Sequence, residues 1–170
     1  MKKYWSYFLS FIKKPENVFI SLSLFFGVLS AILVPQLSVS DENMHYLRAY
    51  GISQGRVESG SRCTLPKDVA KRAGSVYEGN FSSDYSKPID RSSLNIDKCS
   101  SASGYPPIMH LPQAIGIGIA SLFNGSTGLT ILFGRIANAL FYSIAIYFII
   151  KWVRVGKWAF VAIGLIPLMI

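Results

Sequence analysis

Residues Asn17 to Val34, NVFISLSLFFGVLSAILV, decide what kind of protein this is. The run carries no charged side chain, and at about 1.5 Å per residue it can cross about 30 Å of hydrocarbon. Two later stretches read the same way. Thr127 to Ile150 is apolar apart from Arg135 and Asn138, and Trp158 to Ile170 is apolar to the end of the chain. Hydrophobic residues make up 51% of the sequence and charged residues only 15%, gathered in blocks, which suits a lipid-embedded chain and not a soluble domain. We expect an all-α integral membrane protein: two full transmembrane helices plus the start of a third, interfacial helices and a long irregular outer loop. The N-terminus has the basic-then-apolar order of a signal peptide. However, Pro35-Gln36-Leu37 stands where a cleavage site of small residues would follow, so the first span is expected to be retained.

The net charge of +8 could point to nucleic acid, but its placement excludes that reading. Residues 35–110 are nearly balanced. The excess sits in Lys2, Lys3, Lys13, Lys14, Lys151, Arg154 and Lys157, beside the ends of apolar runs, as the positive-inside rule requires. The segments follow from this. Residues 1–16 form a cytoplasmic amphipathic segment, with Tyr4, Trp5, Phe8 and Phe11 between flanking lysines. Residues 17–34 are the first span, 35–106 an extracytoplasmic loop, and 127–150 the second span. Residues 151–157 are a cytoplasmic basic loop, and 158–170 start a third span, so the chain reads as truncated. Leu111 to Phe123 is too short to cross and would invert the basic loop. Residues 107–124 are therefore assigned to a helix on the outer interface. Leu111, Ile115, Ile119 and Leu122 share one side of it, and Gly116, Gly118 and Ala120 permit close packing.

The chemistry concentrates just past the first span, in Asp41-Glu42-Asn43-Met44-His45-Tyr46-Leu47-Arg48. As a helix, this places Asp41, His45 and Arg48 on one face, with Glu42 beside His45. One reading is a capped juxtamembrane helix, started by Ser38 or Ser40 and favoured by acids at its positive end. The other is a general base, because a carboxylate at a lipid boundary loses hydration and gains basicity. Asp41, Glu42 and His45 also offer metal-type ligands, but no second ligand cluster accompanies them. A divalent metal is not indicated and the cofactor stays unassigned. Arg48, with Arg56 or Arg62, can hold a phosphate. Arg135, inside the second span, faces other helices or a polar cavity and can receive a lipid phosphate or the carboxylate of Asp41 or Glu42. Tyr105-Pro106-Pro107 leads into a helix near Pro112, with Tyr105 and His110 placed at the interface. Cys63 and Cys99 share the outer loop, where a disulfide would stabilise it by about 3–4 kcal/mol. Within residues 52–104 one short helix, Lys67 to Arg72, is expected.

The order of these motifs resembles a known family. Pro35, then Asp41, Glu42, His45, Arg48, Ala49 and Tyr50, then Tyr105 to Pro107, Leu111 to Gln113, and Gly134, Arg135 and Asn138 look like the N-terminal part of a bacterial multispanning family catalogued as domain of unknown function 2142. That family is in turn similar to type-C membrane glycosyltransferases, which use polyprenyl-phosphate sugars. The resemblance implies the N-terminal portion of a cell-envelope glycosyltransferase in the bacterial plasma membrane, with Asp41 as first candidate base and Glu42 as second. His45, Arg48 and Arg135 would bind substrate. Implied partners are membrane lipid, a polyprenyl-phosphate sugar and envelope-assembly proteins. The alternatives are a non-enzymatic scaffold of envelope-polymer assembly and a transporter of lipid-linked intermediates.

Overall fold

The computed structural model describes residues 11–57, 62–98 and 101–166. Among them the chain is mostly helical. Helix α1, Pro15–Leu33, starts on a proline, whose missing N–H costs nothing at a first helical position. It ends before Pro35. Helix α2 is Glu42–Ser53, and the short helix α3 is Lys67–Gly74. After a 3₁₀ turn at Pro107–His110 come α4, Leu111–Leu122, and α5, Thr127–Trp152. Helix α6, Lys157–Leu165, follows a tight turn at Gly156, whose φ of 71° suits a residue without Cβ. Helices α1 and α5 are long and apolar enough to cross a membrane, and residues 107–122 form a shorter apolar helical segment. Residues 1–10 of the expected amphipathic segment lie outside the described residues, as do 167–170 of the third apolar run.

The segment between α1 and α4 departs from the expected irregular loop. Two short strands, β1 (Arg62–Pro66) and β2 (Leu94–Lys98), pair antiparallel, with Thr64 opposite Ile96 and Leu65 opposite Asn95. Their hydrophobic alternation is too short to announce them. They form because Leu65 is buried in the same core as Val69, at the start of α3. The register puts Cys63 opposite Asp97. Cys99 lies outside the described residues, and with it the expected disulfide.

The chain divides into two compact units, residues 1–31 with 139–170, and residues 32–138. In the first, Phe19, Ser23, Gly27 and Ala31 recur every fourth residue along α1 and are buried. The Ser23 and Ser143 hydroxyls hydrogen-bond at 2.6 Å, a pairing that satisfies both in an apolar setting. Phe19, Ile150 and Val161 form a small core. Gly164 admits the Phe19 ring, because a Cβ there would lie 2.8 Å from it. The Tyr142 hydroxyl donates to the Gly164 carbonyl at 2.7 Å.

The second unit has the larger core, built on Leu37, Tyr46, Tyr50, Leu65, Val69, Ile117 and Ile131. Gly116 is where α4 meets α5: a Cβ there would sit 2.2 Å from the Phe133 carbonyl oxygen, whereas Gly118 faces open space. The exposed side of α4 is Leu111, Ile115, Ile119 and Leu122, a face suited to lipid. Residues 79–93 are tied down by backbone and side-chain bonds. Gly128 N–H donates to the Asp84 carbonyl at 2.9 Å, and Arg91 donates to the Ser121 carbonyl at 2.6 Å. Gln36, 2% exposed, donates to the Tyr85 hydroxyl and the Gly128 carbonyl, both at 2.9 Å.

Candidate functional site

The second unit holds a pocket of about 360 Å³ whose walls include Glu42, His45, Tyr105, Met109, His110, Gln113, Arg135 and Asn138. Several elements supply the polar groups, with Gln113 on α4 and Tyr105 just before the 3₁₀ turn. Pro35 stops α1, and Leu37, with φ of 63°, turns the chain so that α2 can begin at Glu42. Leu37 is 1% exposed, so core burial holds this strained backbone in place. Helix α5 carries Arg135 and Asn138, and the 3₁₀ turn before α4 carries Met109 and His110.

Arg135 is the centre of the arrangement. Its Nε donates to Glu42 Oε1 at 2.5 Å and its Nη2 to Oε2 at 2.8 Å, a two-point charge-assisted pair. The same guanidinium donates to the Val34 carbonyl at 2.6 Å and the Pro35 carbonyl at 2.9 Å. Those carbonyls lie just past the negative end of α1, where a cation is favoured. The side chains are 12% and 13% exposed, so the pair is largely withdrawn from solvent. Of the two carboxylates expected as partners of Arg135, the fold selects Glu42.

The same pocket holds two histidines. The rings of His45 and His110 lie 5.3 Å apart, and Tyr105 lies 6.0 Å from His45. His110 is 5% exposed and its Nε2 is buried with no hydrogen-bond partner in the protein. Burial first, then the neighbouring His45 and Arg48, holds its imidazole below the ordinary value of 6.5. His110 is therefore a neutral ring with an unused polar atom in the pocket wall.

The other candidates separate. Asp41 is the N-cap of α2 with φ of 60°, exposed, and makes no capping bond with its side chain. Its carbonyl accepts from Met44 N–H at 3.0 Å and His45 N–H at 3.1 Å. Ser38, expected as a cap, instead donates to the Pro35 carbonyl at 2.7 Å. Asp41 is not among the pocket-lining residues, and neither is Arg48, which is 6% exposed and donates to the Val57 carbonyl at 3.1 Å. Glu42, His45 and Arg135 are thus brought together, and Asp41 and Arg48 are not. Sequence reasoning underweighted His110. It read as a solitary belt residue because its partner His45 is far away in the chain. Among the described residues, no three His, Cys, Asp or Glu side chains converge as a metal set.

No curated protein and no solved structure matches the chain. A family model described as a predicted membrane protein, DUF2142, matches residues 24–170. That match covers the second half of α1, all of α5, every residue of the pocket and the whole segment between α1 and α4. The chain belongs to the DUF2142 family of predicted membrane proteins.

Proposed function

We propose that this pocket is the reaction site of a cell-envelope glycosyltransferase that takes sugar from a polyprenyl phosphate. The observation that carries the reading is the Glu42–Arg135 pair, set in a pocket with two histidines where the first apolar helix ends. A donor phosphate entering the pocket competes with Glu42 for the guanidinium, since both are anions that Arg binds at two points. Once released, Glu42 accepts the proton of the acceptor hydroxyl. The acceptor oxygen bonds to the anomeric carbon, and the carbon–phosphate oxygen bond breaks with its electron pair going to the phosphate. Arg135 then stabilises the leaving polyprenyl phosphate. Glu42 takes precedence over Asp41 as base because it lines the pocket and Asp41 does not. Residues 1–16 and 151–157 are assigned to the cytoplasm of a bacterial plasma membrane and the pocket to its outer face, on the placement of lysine and arginine.

A scaffold reading is favoured by one fact: the same guanidinium fastens the Val34 and Pro35 carbonyls, as a structural clamp would. The readings separate in membranes containing the protein, supplied with a polyprenyl-phosphate sugar and assayed for product by mass. Glu42→Gln should lower transfer by about 100-fold or more with insertion intact, and Asp41→Asn should lower it only slightly. A large loss in Asp41→Asn alone would make Asp41 the base. Undiminished transfer in both variants would leave the clamp as the account of the pair.

A further inference from the structure

We infer that the outer segment carries a second binding site, for an acidic monosaccharide unit. It is a pocket of about 310 Å³ in the second unit, between α3, residues 75–87 and the start of α5. Every side chain that lines it is polar. Lys71, Arg72 and Lys87 are cations, Asp68 and Asp84 are carboxylates, and the rest bear hydroxyl or amide groups.

The two acids are already held by the protein. Asp68 Oδ2 accepts from the Asp90 N–H at 3.0 Å. Asp84 Oδ1 accepts from the Ser86 N–H at 2.9 Å and its hydroxyl at 2.8 Å, bonds that keep its carboxyl below the usual range and therefore ionised. Lys71 and Lys87 are exposed and form no ion pair among the described residues. Arg72, 8% exposed, is pinned by the Gln36 carbonyl at 3.1 Å, the Ser75 hydroxyl at 2.8 Å and the Asn80 carbonyl at 3.2 Å. Its Nε is buried with no acceptor. The pocket thus presents the ammonium groups of Lys71 and Lys87 beside a guanidinium held fixed by the protein, with carboxylates spaced among them.

That chemistry selects the ligand. Unused cationic donors call for an anion. The hydroxyl, amide and carboxylate groups around them call for a ligand rich in hydroxyls, which donate as well as accept. The volume exceeds what one small inorganic anion fills and lies at the lower end of small-molecule pockets, about 300 Å³ and upward. An aromatic face for a nucleobase and apolar side chains for a peptide or lipid are both missing from the lining. A sugar bearing a carboxylate or a phosphate satisfies each condition. This site shares no residue with the pocket of Glu42 and Arg135 and does not depend on the transferase reading.

The test is ligand titration by calorimetry on the full chain in lipid nanodiscs. The probes are glucuronate, glucose 6-phosphate, glucose and inorganic phosphate. Saturable binding of glucuronate, of glucose 6-phosphate or of both is expected, and the pattern tells which anion the site takes. Glucose should not bind, and inorganic phosphate should bind more weakly than the acidic sugars. The double variant Lys71→Ala/Lys87→Ala changes only exposed side chains and should weaken binding roughly tenfold with an unchanged melting temperature. Lys67→Ala, outside the pocket, should leave affinity unchanged. The inference is overturned if neither acidic sugar binds saturably or if glucose binds equally well. It is also overturned if inorganic phosphate binds as tightly as the sugars, or if the double variant binds like the unsubstituted chain.

Discussion

Arg135 shows at the residue scale how a cation is tolerated inside an apolar helix. A lone arginine at membrane depth is costly, and here two carboxylate oxygens and two carbonyls take up its donors. Removing either partner leaves the other withdrawn from water and uncompensated. Arg135→Met and Glu42→Gln should each destabilise by about 3 kcal/mol. The double variant should cost less than their sum by about 1–3 kcal/mol. Additive single losses in thermal unfolding would show that the pair is not coupled. His110 gives a pH prediction. The groups around it are His45 and Arg48 on α2, with Tyr105, Glu42 and Arg135 in the same pocket. Its folded value lies below 6.5, so the unfolded chain takes up the proton first as pH falls. The contribution is present above 6.5 and is lost as pH drops through and below it. The melting temperature should therefore fall between about pH 7 and about pH 5, and His110→Gln should flatten that slope. An unchanged slope in His110→Gln would assign the proton uptake elsewhere.

At the scale of elements, α4 is the informative case, because it carries two glycines with opposite surroundings. Gly116 brings the α5 backbone close: a Cβ there meets the Phe133 carbonyl and the Ala137 methyl at 2.2 and 2.8 Å. Backbone cannot rotate away as a side chain can, so Gly116→Ala should cost about 1–3 kcal/mol as α4 and α5 are forced apart. Gly118 meets nothing within 4 Å. Gly118→Ala should be neutral or stabilising by up to about 1 kcal/mol, through helix propensity alone. Equal effects of the two substitutions on the unfolding midpoint would contradict this packing. The small-residue pattern of α4 was visible in the chain, but which glycine bears the contact depends on where α5 lies.

For the whole molecule, the testable quantity is orientation. We propose, from the placement of lysine and arginine, that Cys63 and Cys99 lie outside and residues 151–157 inside. Val155 is 80% exposed and is a better reporter than Gly156, whose φ of 71° would strain a cysteine. An impermeant thiol reagent applied to intact, reduced cells should label the native cysteines and leave Val155→Cys unlabelled until the cells are opened. Labelling of Val155→Cys in intact cells would reverse the assignment. Omitting the reductant tests the disulfide: mass spectrometry should then find one linked Cys63–Cys99 peptide, and two alkylated cysteines would remove the pairing.

What the linear chain determined is its relation to lipid. Uncharged runs such as Asn17 to Val34 must bond their own backbone groups when water is absent, and that requirement acts locally and needs no partner. Helices α1 and α5 follow from it, and the proline breaks and the charge asymmetry are likewise local, set by a missing N–H and by the placement of lysine and arginine. Tertiary structure decided which polar groups meet. Whether Asp41 or Glu42 reaches Arg135 turns on the backbone at Leu37 and Asp41, both left-handed, and on the burial that keeps Leu37 there. The His45–His110 pair and the β1–β2 ribbon join residues distant in the chain, and their short local patterns carry too little periodicity to be read in advance. Contacts of that kind are set by loop closure and by the shape of the shared core, which exist only once the chain has folded.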